Sequence, residues 1–150
     1  MPTVDIFQID AFADTVFRGN PAAVCPLDAW LPDDLMQAIA AENNLSETAF
    51  FVASGDGCDL RWFTLSLEVD LCGHATLASA FLILTRLSPG SDSVRFDTRS
   101  GGLHVTRDAT GCFSIFPPIR AKSSIVRPIY PAGSASPHRR SSRAPITSPS

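Results

Sequence analysis

Glu68–Ala80, EVDLCGHATLASA, is the stretch from which the fold is read. It opens on acids, passes through Cys72-Gly73-His74 and runs at once into residues that are apolar nearly all round. Ala75–Leu87 is therefore predicted as a buried helix, ended by Pro89-Gly90. A helix apolar on every side needs a layer wrapped around it, and the flanking sequence offers strands. Cys58–Thr64 precedes it as a strand with Leu60, Trp62 and Thr64 on one face. Val94–Thr98, Leu103–Thr106 and Phe113–Phe116 follow as three short strands, joined by Ser100-Gly101-Gly102 and by 108–111.

Further upstream, Glu47–Ala53 is a strand that turns back through Ser54-Gly55-Asp56-Gly57, a hairpin signal. Val4–Ile9 alternates as a half-buried strand does. Arg18-Gly19-Asn20-Pro21 marks a turn, and Ala22–Cys25 a short strand stopped by Pro26. Pro32, Asp33 and Asp34 open a helix reaching about Asn43, with Leu35, Ile39 and Ala40 as its apolar stripe and Met36 beside it. The regular strand–helix alternation of a doubly wound sheet is missing. The expected class is α+β, a mostly antiparallel sheet wrapped around the central helix.

The chain divides by composition. Residues 1–116 carry 15 acids and six arginines, a balance of −9; residues 117–150 carry no acid, five arginines and Lys122, a balance of +6. The second part holds seven prolines and eight serines, a composition that buries too little surface to offset ordering entropy. We expect a domain over 1–116 and a disordered Pro/Ser/Arg-rich tail over 117–150. Nucleic-acid binding by the tail is not expected, since only one aromatic, Tyr130, stands among its basic residues to offer stacking. No apolar run approaches the ~18–20 residues of a membrane span. The first ten residues lack the pattern of a secretory signal, and the expected compartment is the cytoplasm. Cys25, Cys58, Cys72 and Cys112 form no CxxC, and with three histidines no zinc spacing arises.

The reactive residues gather in two segments. Asn44–Phe50, NLSETAF, sets Glu47 beside Ala49 and Phe50, where burial would raise a carboxylate pKa toward neutrality and suit a general acid/base. The alternatives are an exposed strand residue or a helix-terminal carboxylate. His74, in the first helical turn, could donate to a carboxylate or carbonyl of a substrate, or satisfy a neighbouring backbone carbonyl. Cys72 at a helix N-terminus would have a depressed pKa, although a small buried residue is the simpler reading. Gly73 lets a ligand approach the backbone. Asp70 is placed to pair with His74 or, more simply, to cap the helix. Asn20 is a turn residue whose amide could reach a ligand.

Four segments, GNPAAV (Gly19–Val24), NLSETAFF (Asn44–Phe51), EVDLCGHATLASA (Glu68–Ala80) and FDTRSGGLHV (Phe96–Val105), resemble the phenazine-biosynthesis isomerase-like family in order and spacing. That family is related in fold to diaminopimelate epimerase and proline racemase. The resemblance covers about residues 3–116. It implies two similar halves, each a sheet around a central helix, with the active site in the cleft between them. Glu47 falls on the catalytic acid/base, and Gly73 and His74 on the substrate-binding helix start. Cys72 falls where the related epimerases keep a catalytic cysteine. The implied reaction is a proton-shift isomerisation of a small carboxylate-bearing substrate, with no metal and no organic cofactor, in proteins that often pair as homodimers.

Two departures accompany it. Phe63-Thr64-Leu65 stands where family members usually show Phe-Thr-Pro. The family's second half has no counterpart here, and the tail looks like translation in a shifted frame. Sequencing the DNA beyond codon 116 tests this, and the idea fails if no other frame continues the family pattern. With one wall of the cleft missing, the chain is expected to show little or no activity alone. The rival expectations are a pair of chains rebuilding the cleft and a non-catalytic remnant or binding module.

Overall fold

The structure, a computed structural model, describes residues 3–11, 20–111 and 113–117, with the side chains of Ala11 and Asn20 left out. The expected turn at Arg18-Gly19 and the tail beyond Pro117 lie outside the described residues. Strands β1 (Phe7–Ala11), β2 (Asn20–Leu27), β3 (Glu47–Ser54), β4 (Gly57–Phe63), β5 (Glu68–Val69), β6 (Ser93–Thr98), β7 (Gly101–Arg107) and β8 (Phe113–Phe116) join helices α1 (Asp33–Asn43) and α2 (Gly73–Leu82). A π-helical turn, Ile83–Leu87, prolongs α2. The strands form one sheet in the order β1-β2-β3-β4-β6-β7-β8, and the short β5 pairs with β4.

The α+β class and the mainly antiparallel pairing are as expected. Two pairs, β2–β3 and β4–β6, are parallel. Each needs a crossover: α1 carries the chain from β2 to β3, and α2 lies on the path from β4 to β6. The two helices serve separate apolar cores. Ala22, Val24, Ala49, Phe51, Leu60, Trp62, Phe96, Val105 and Phe113 pack with α2. Cys25, Phe50 and Phe63 pack with Met36 and Ala40 of α1. The strand period explains the split: in β3, odd residues face α2, while Phe50 faces α1.

Several boundaries move for physical reasons. Strand β2 continues through Pro26 to Leu27. The β1 partners end at Val24, so Pro26 sits where one edge of β2 has no paired strand and a missing N–H costs little. Thr64 is not on the β4 face with Leu60 and Trp62. It lies past the strand, with its N–H and hydroxyl both donating to the Leu67 carbonyl, at 2.7 and 3.0 Å. The α1 stripe is rotated, since Met36 and Ala40 are its buried residues. Helix α2 starts at Gly73 rather than Ala75, and β1 lies a few residues later than its alternation suggested.

Gly57, the first residue of β4, has β6 close against it. A Cβ there would clash with the Arg95 carbonyl oxygen. Backbone cannot yield as a flexible side chain would. Gly57→Ala should therefore destabilise the fold by about 1–3 kcal/mol, read as a lower midpoint in urea unfolding. An unchanged midpoint would contradict the close approach.

Arg61 pins the segment that leads into α2. Its guanidinium grips Glu68 with two charge-assisted hydrogen bonds, Nε to Oε1 at 2.7 Å and Nη2 to Oε2 at 2.8 Å, and reaches Asp33 at 3.0 Å. The same group lies over the rings of Trp30 and Phe63, 5.3 and 5.4 Å from their centroids. Arg99 Nη2 meets the same Glu68 Oε2 at 3.0 Å. A planar fork stacked between rings is not replaced by an ammonium. Arg61→Lys should therefore loosen β5, measured as faster amide exchange at Glu68 and Val69. Unchanged exchange there would assign the anchoring elsewhere.

Candidate active site

Glu47 is the first residue of β3 and shares the α2-facing row with Ala49 and Phe51. The loop from Asp70 to Cys72 brings the start of α2 against it. His74 Nε2 and Glu47 Oε2, both buried atoms, lie 2.7 Å apart. Their side chains are only 11% and 20% exposed, so the pair is shielded but can still be reached from solvent. On the other edge of the ring, Nδ1 is 3.4 Å from Cys72 Sγ. A thiol, an imidazole and a carboxylate thus stand in a row.

The protonation of the row follows from its ends. Cys72 occupies the N-cap position of α2, and the backbone N–H groups of Ala75 and His74 favour its thiolate. Burial outweighs them, the Glu47 charge adds to it, and together they push the thiol up to about 12. The expected depression at a helix N-terminus therefore does not occur. A protonated thiol can donate to Nδ1, which leaves the ring proton on Nε2, facing the carboxylate. Thr76 Oγ1 donates to the Cys72 carbonyl at 2.7 Å and Ser79 Oγ to the Ala75 carbonyl at 2.8 Å, which fixes the helix start.

A thiol whose folded pKa exceeds its unfolded value of about 8.5 contributes stability that is complete below that value and is lost as pH rises toward 12. Cys25, fully buried, is also shifted upward by burial. Unfolding free energy should therefore fall between about pH 9 and about pH 12, by at most about 1.4 kcal/mol per unit for each thiol. Urea titrations of wild type and Cys72→Ala should diverge over that window. Parallel curves would assign the loss to other groups.

The remaining expected site residues are placed differently. Gly73 opens α2 and is half-buried. Asp70 neither caps α2 nor pairs with His74. Its side chain is 77% exposed and sits 3.9 Å from Arg99, while its carbonyl accepts from Ser100 Oγ at 2.7 Å. The cap position belongs to Cys72, two residues closer to the helix, and water solvates the Asp70 carboxylate at no cost. Asn20 begins β2, two positions before the partner of Glu47, Ala22; its side chain lies outside the described residues. The Arg61–Glu68–Arg99 assembly was missed. Its one signal was an arginine set between the apolar residues Leu60 and Trp62.

A sheet built around α2, with an acid on β3 facing a glycine and a histidine at the helix start, defines the class. The chain belongs to the family described as Phenazine biosynthesis-like protein, which it matches over residues 9–116. It is 60% identical over 112 residues to an uncharacterized isomerase of Pseudomonas aeruginosa, covering 75% of this chain and 43% of that one. It is 45% identical over 130 residues to an uncharacterized isomerase of Halalkalibacterium halodurans, covering 85% and 49%. Among solved structures it resembles a phenazine biosynthesis protein of the PhzF family from Enterococcus faecalis, with 48% identity, a TM-score of 0.73, and coverage of 76% and 44%. It also resembles a predicted epimerase from Pseudomonas aeruginosa, with 28% identity, a TM-score of 0.63, and coverage of 76% and 42%. The chain spans less than half the length of these relatives. The fold is that of one half of a diaminopimelate epimerase-like protein. No helix among the described residues is long and apolar enough to cross a membrane.

Proposed function

We propose that this site moves a proton on a small carboxylate-bearing substrate, isomerising it at an activated carbon, in the cytoplasm, with only weak activity from a single chain. The observation that carries the reading is the 2.7 Å approach of Glu47 to His74 at the start of α2. Glu47 takes and returns the proton. His74 and the backbone N–H of Gly73, at the positive end of the helix dipole, hold the substrate's charged oxygens. The isomerase and epimerase names of the relatives agree with this chemistry, and the free thiols of Cys25, Cys58 and Cys72 agree with a reducing compartment. The test is solvent-deuterium incorporation into a panel of small carboxylates with an acidic C–H, followed by NMR on the full chain. Exchange at one carbon supports the reading. A panel that stays fully protonated, both at micromolar protein and at concentrations that favour pairing, refutes it.

A second reading is favoured by Leu65, Leu67 and Leu71, which are 46%, 54% and 41% exposed on the segment that feeds α2. Apolar residues grouped at a site's rim mark a docking face. Two copies would pair there and close the cleft, or the chain would serve as a non-catalytic binding module. Light scattering separates these: a dimer weakened by Leu67→Asp supports pairing, and a monomer at every concentration excludes it.

A further inference from the structure

We propose that Glu47, Cys72 and His74 form a binding site for a thiophilic divalent cation, Zn2+ above all. A sulfur, an imidazole nitrogen and a carboxylate oxygen all lie within 4.8 Å of one another. The sequence shows no zinc spacing because Glu47 arrives on β3, 25 positions before Cys72, and only the fold brings it to the helix start.

The donor set selects the metal. Magnesium and calcium take oxygen ligands, whereas one sulfur, one nitrogen and one oxygen suit zinc. Tetrahedral zinc, with bonds of about 2.0–2.3 Å, holds its ligands about 3.3–3.8 Å apart. Sγ and Nδ1 are already 3.4 Å apart. Oε2 and Nε2, at 2.7 Å, must separate slightly as the ion enters. These two contacts use opposite nitrogens of the ring and only one can bind the ion, so the imidazole must turn to bring that nitrogen between Sγ and Oε2, which lie within 4.8 Å of each other. Arg61, Glu68 and the buried Thr76 and Ser79 hydroxyls keep the helix start in place while this happens.

Binding forms a Zn–S bond and breaks the Cys72 S–H bond, and the released proton passes to the buffer. Three protein ligands leave a fourth position for water. The binding stands on geometry alone. Its consequence rests on the isomerase reading: an ion that occupies the Glu47 carboxylate withholds it from proton transfer, so zinc would inhibit turnover.

The test uses the chelator-treated full chain without substrate, so that its outcome is independent of whether the chain isomerises anything. Calorimetric titration should show one equivalent of Zn2+ bound and no binding of Mg2+. Co2+ should give a near-ultraviolet thiolate-to-cobalt charge-transfer band. Cys72→Ser should abolish the band, and Glu47→Gln should weaken zinc binding by roughly tenfold or more, at least the loss that follows removal of an outer partner. In the wild type, Zn2+ should slow alkylation of Cys72 relative to Cys58, mapped by mass spectrometry; this readout does not depend on how the variants fold. Absence of the cobalt band, or equal alkylation of both cysteines with and without zinc, overturns the proposal.

Discussion

Glu47→Gln should lower solvent-deuterium incorporation into the substrate by about 10²–10⁴-fold, the range a positioned general acid/base supplies. The amide has the shape of the carboxylate and remains within reach of His74 Nε2, 2.7 Å away in the wild type. It can accept a hydrogen bond but cannot take up and return a proton. Substrate affinity should therefore change little while the rate collapses, a pattern that separates proton transfer from binding. Equal rates for wild type and variant would remove Glu47 from the chemistry and return the acid/base role to an open question. The far-ultraviolet spectrum should be unchanged, because Glu47 stands at the end of β3 and not within either apolar core.

Trp62→Ala should cost about 3–5 kcal/mol. Trp62 is 1% exposed and packs where β4 faces α2. Against a total of about 5–15 kcal/mol for a domain, that loss removes about a fifth of the stability or more. The indole nitrogen has no hydrogen-bond partner among the described residues. Trp62→Phe discards that unpaired donor together with part of the ring, so its cost should stay below about 1.5 kcal/mol. Urea unfolding of the two variants decides this. Equal losses would show that the indole N–H is satisfied, by water or otherwise, and that its removal brings no relief.

The parts of the fold that could be read from sequence are those with local causes. Ala75–Leu84 is apolar nearly all round and is buried apart from the half-buried Phe81, while Arg86 and Leu87 at the end of the expected helix are exposed. Ser54-Gly55-Asp56-Gly57 is a hairpin whose two-residue turn, with Gly55 at φ 56°, closes the pairing of Ser54 with Gly57. Glu47 and His74 were singled out from their surroundings and from the family resemblance, and the fold brings them together. What escaped depends on distant neighbours. The parallel pairing of β2 with β3 leaves no local mark, so Pro26 read as a stop when it is only an edge. The Cys72 thiol illustrates the same limit. Position at a helix start argued for a thiolate, but desolvation and the charge of Glu47, both set by tertiary packing, reverse the sign.

The alternation along β3 has a consequence for how such a protein can change. Residues 48–51 are buried whichever face they point to, so hydrophobic pattern alone does not specify the register of this strand. The pairing of Ser54 with Gly57 does, with Ser54 seven residues from the acid. One residue inserted into or deleted from that turn could leave a strand that still packs on both sides. It would, however, turn Glu47 toward α1 and bring Ser46 or Thr48 to the helix start instead. Activity could then vanish through a change of length at the far end of the strand, with every side chain of the site intact. Comparisons that align residues without counting the turn would miss it.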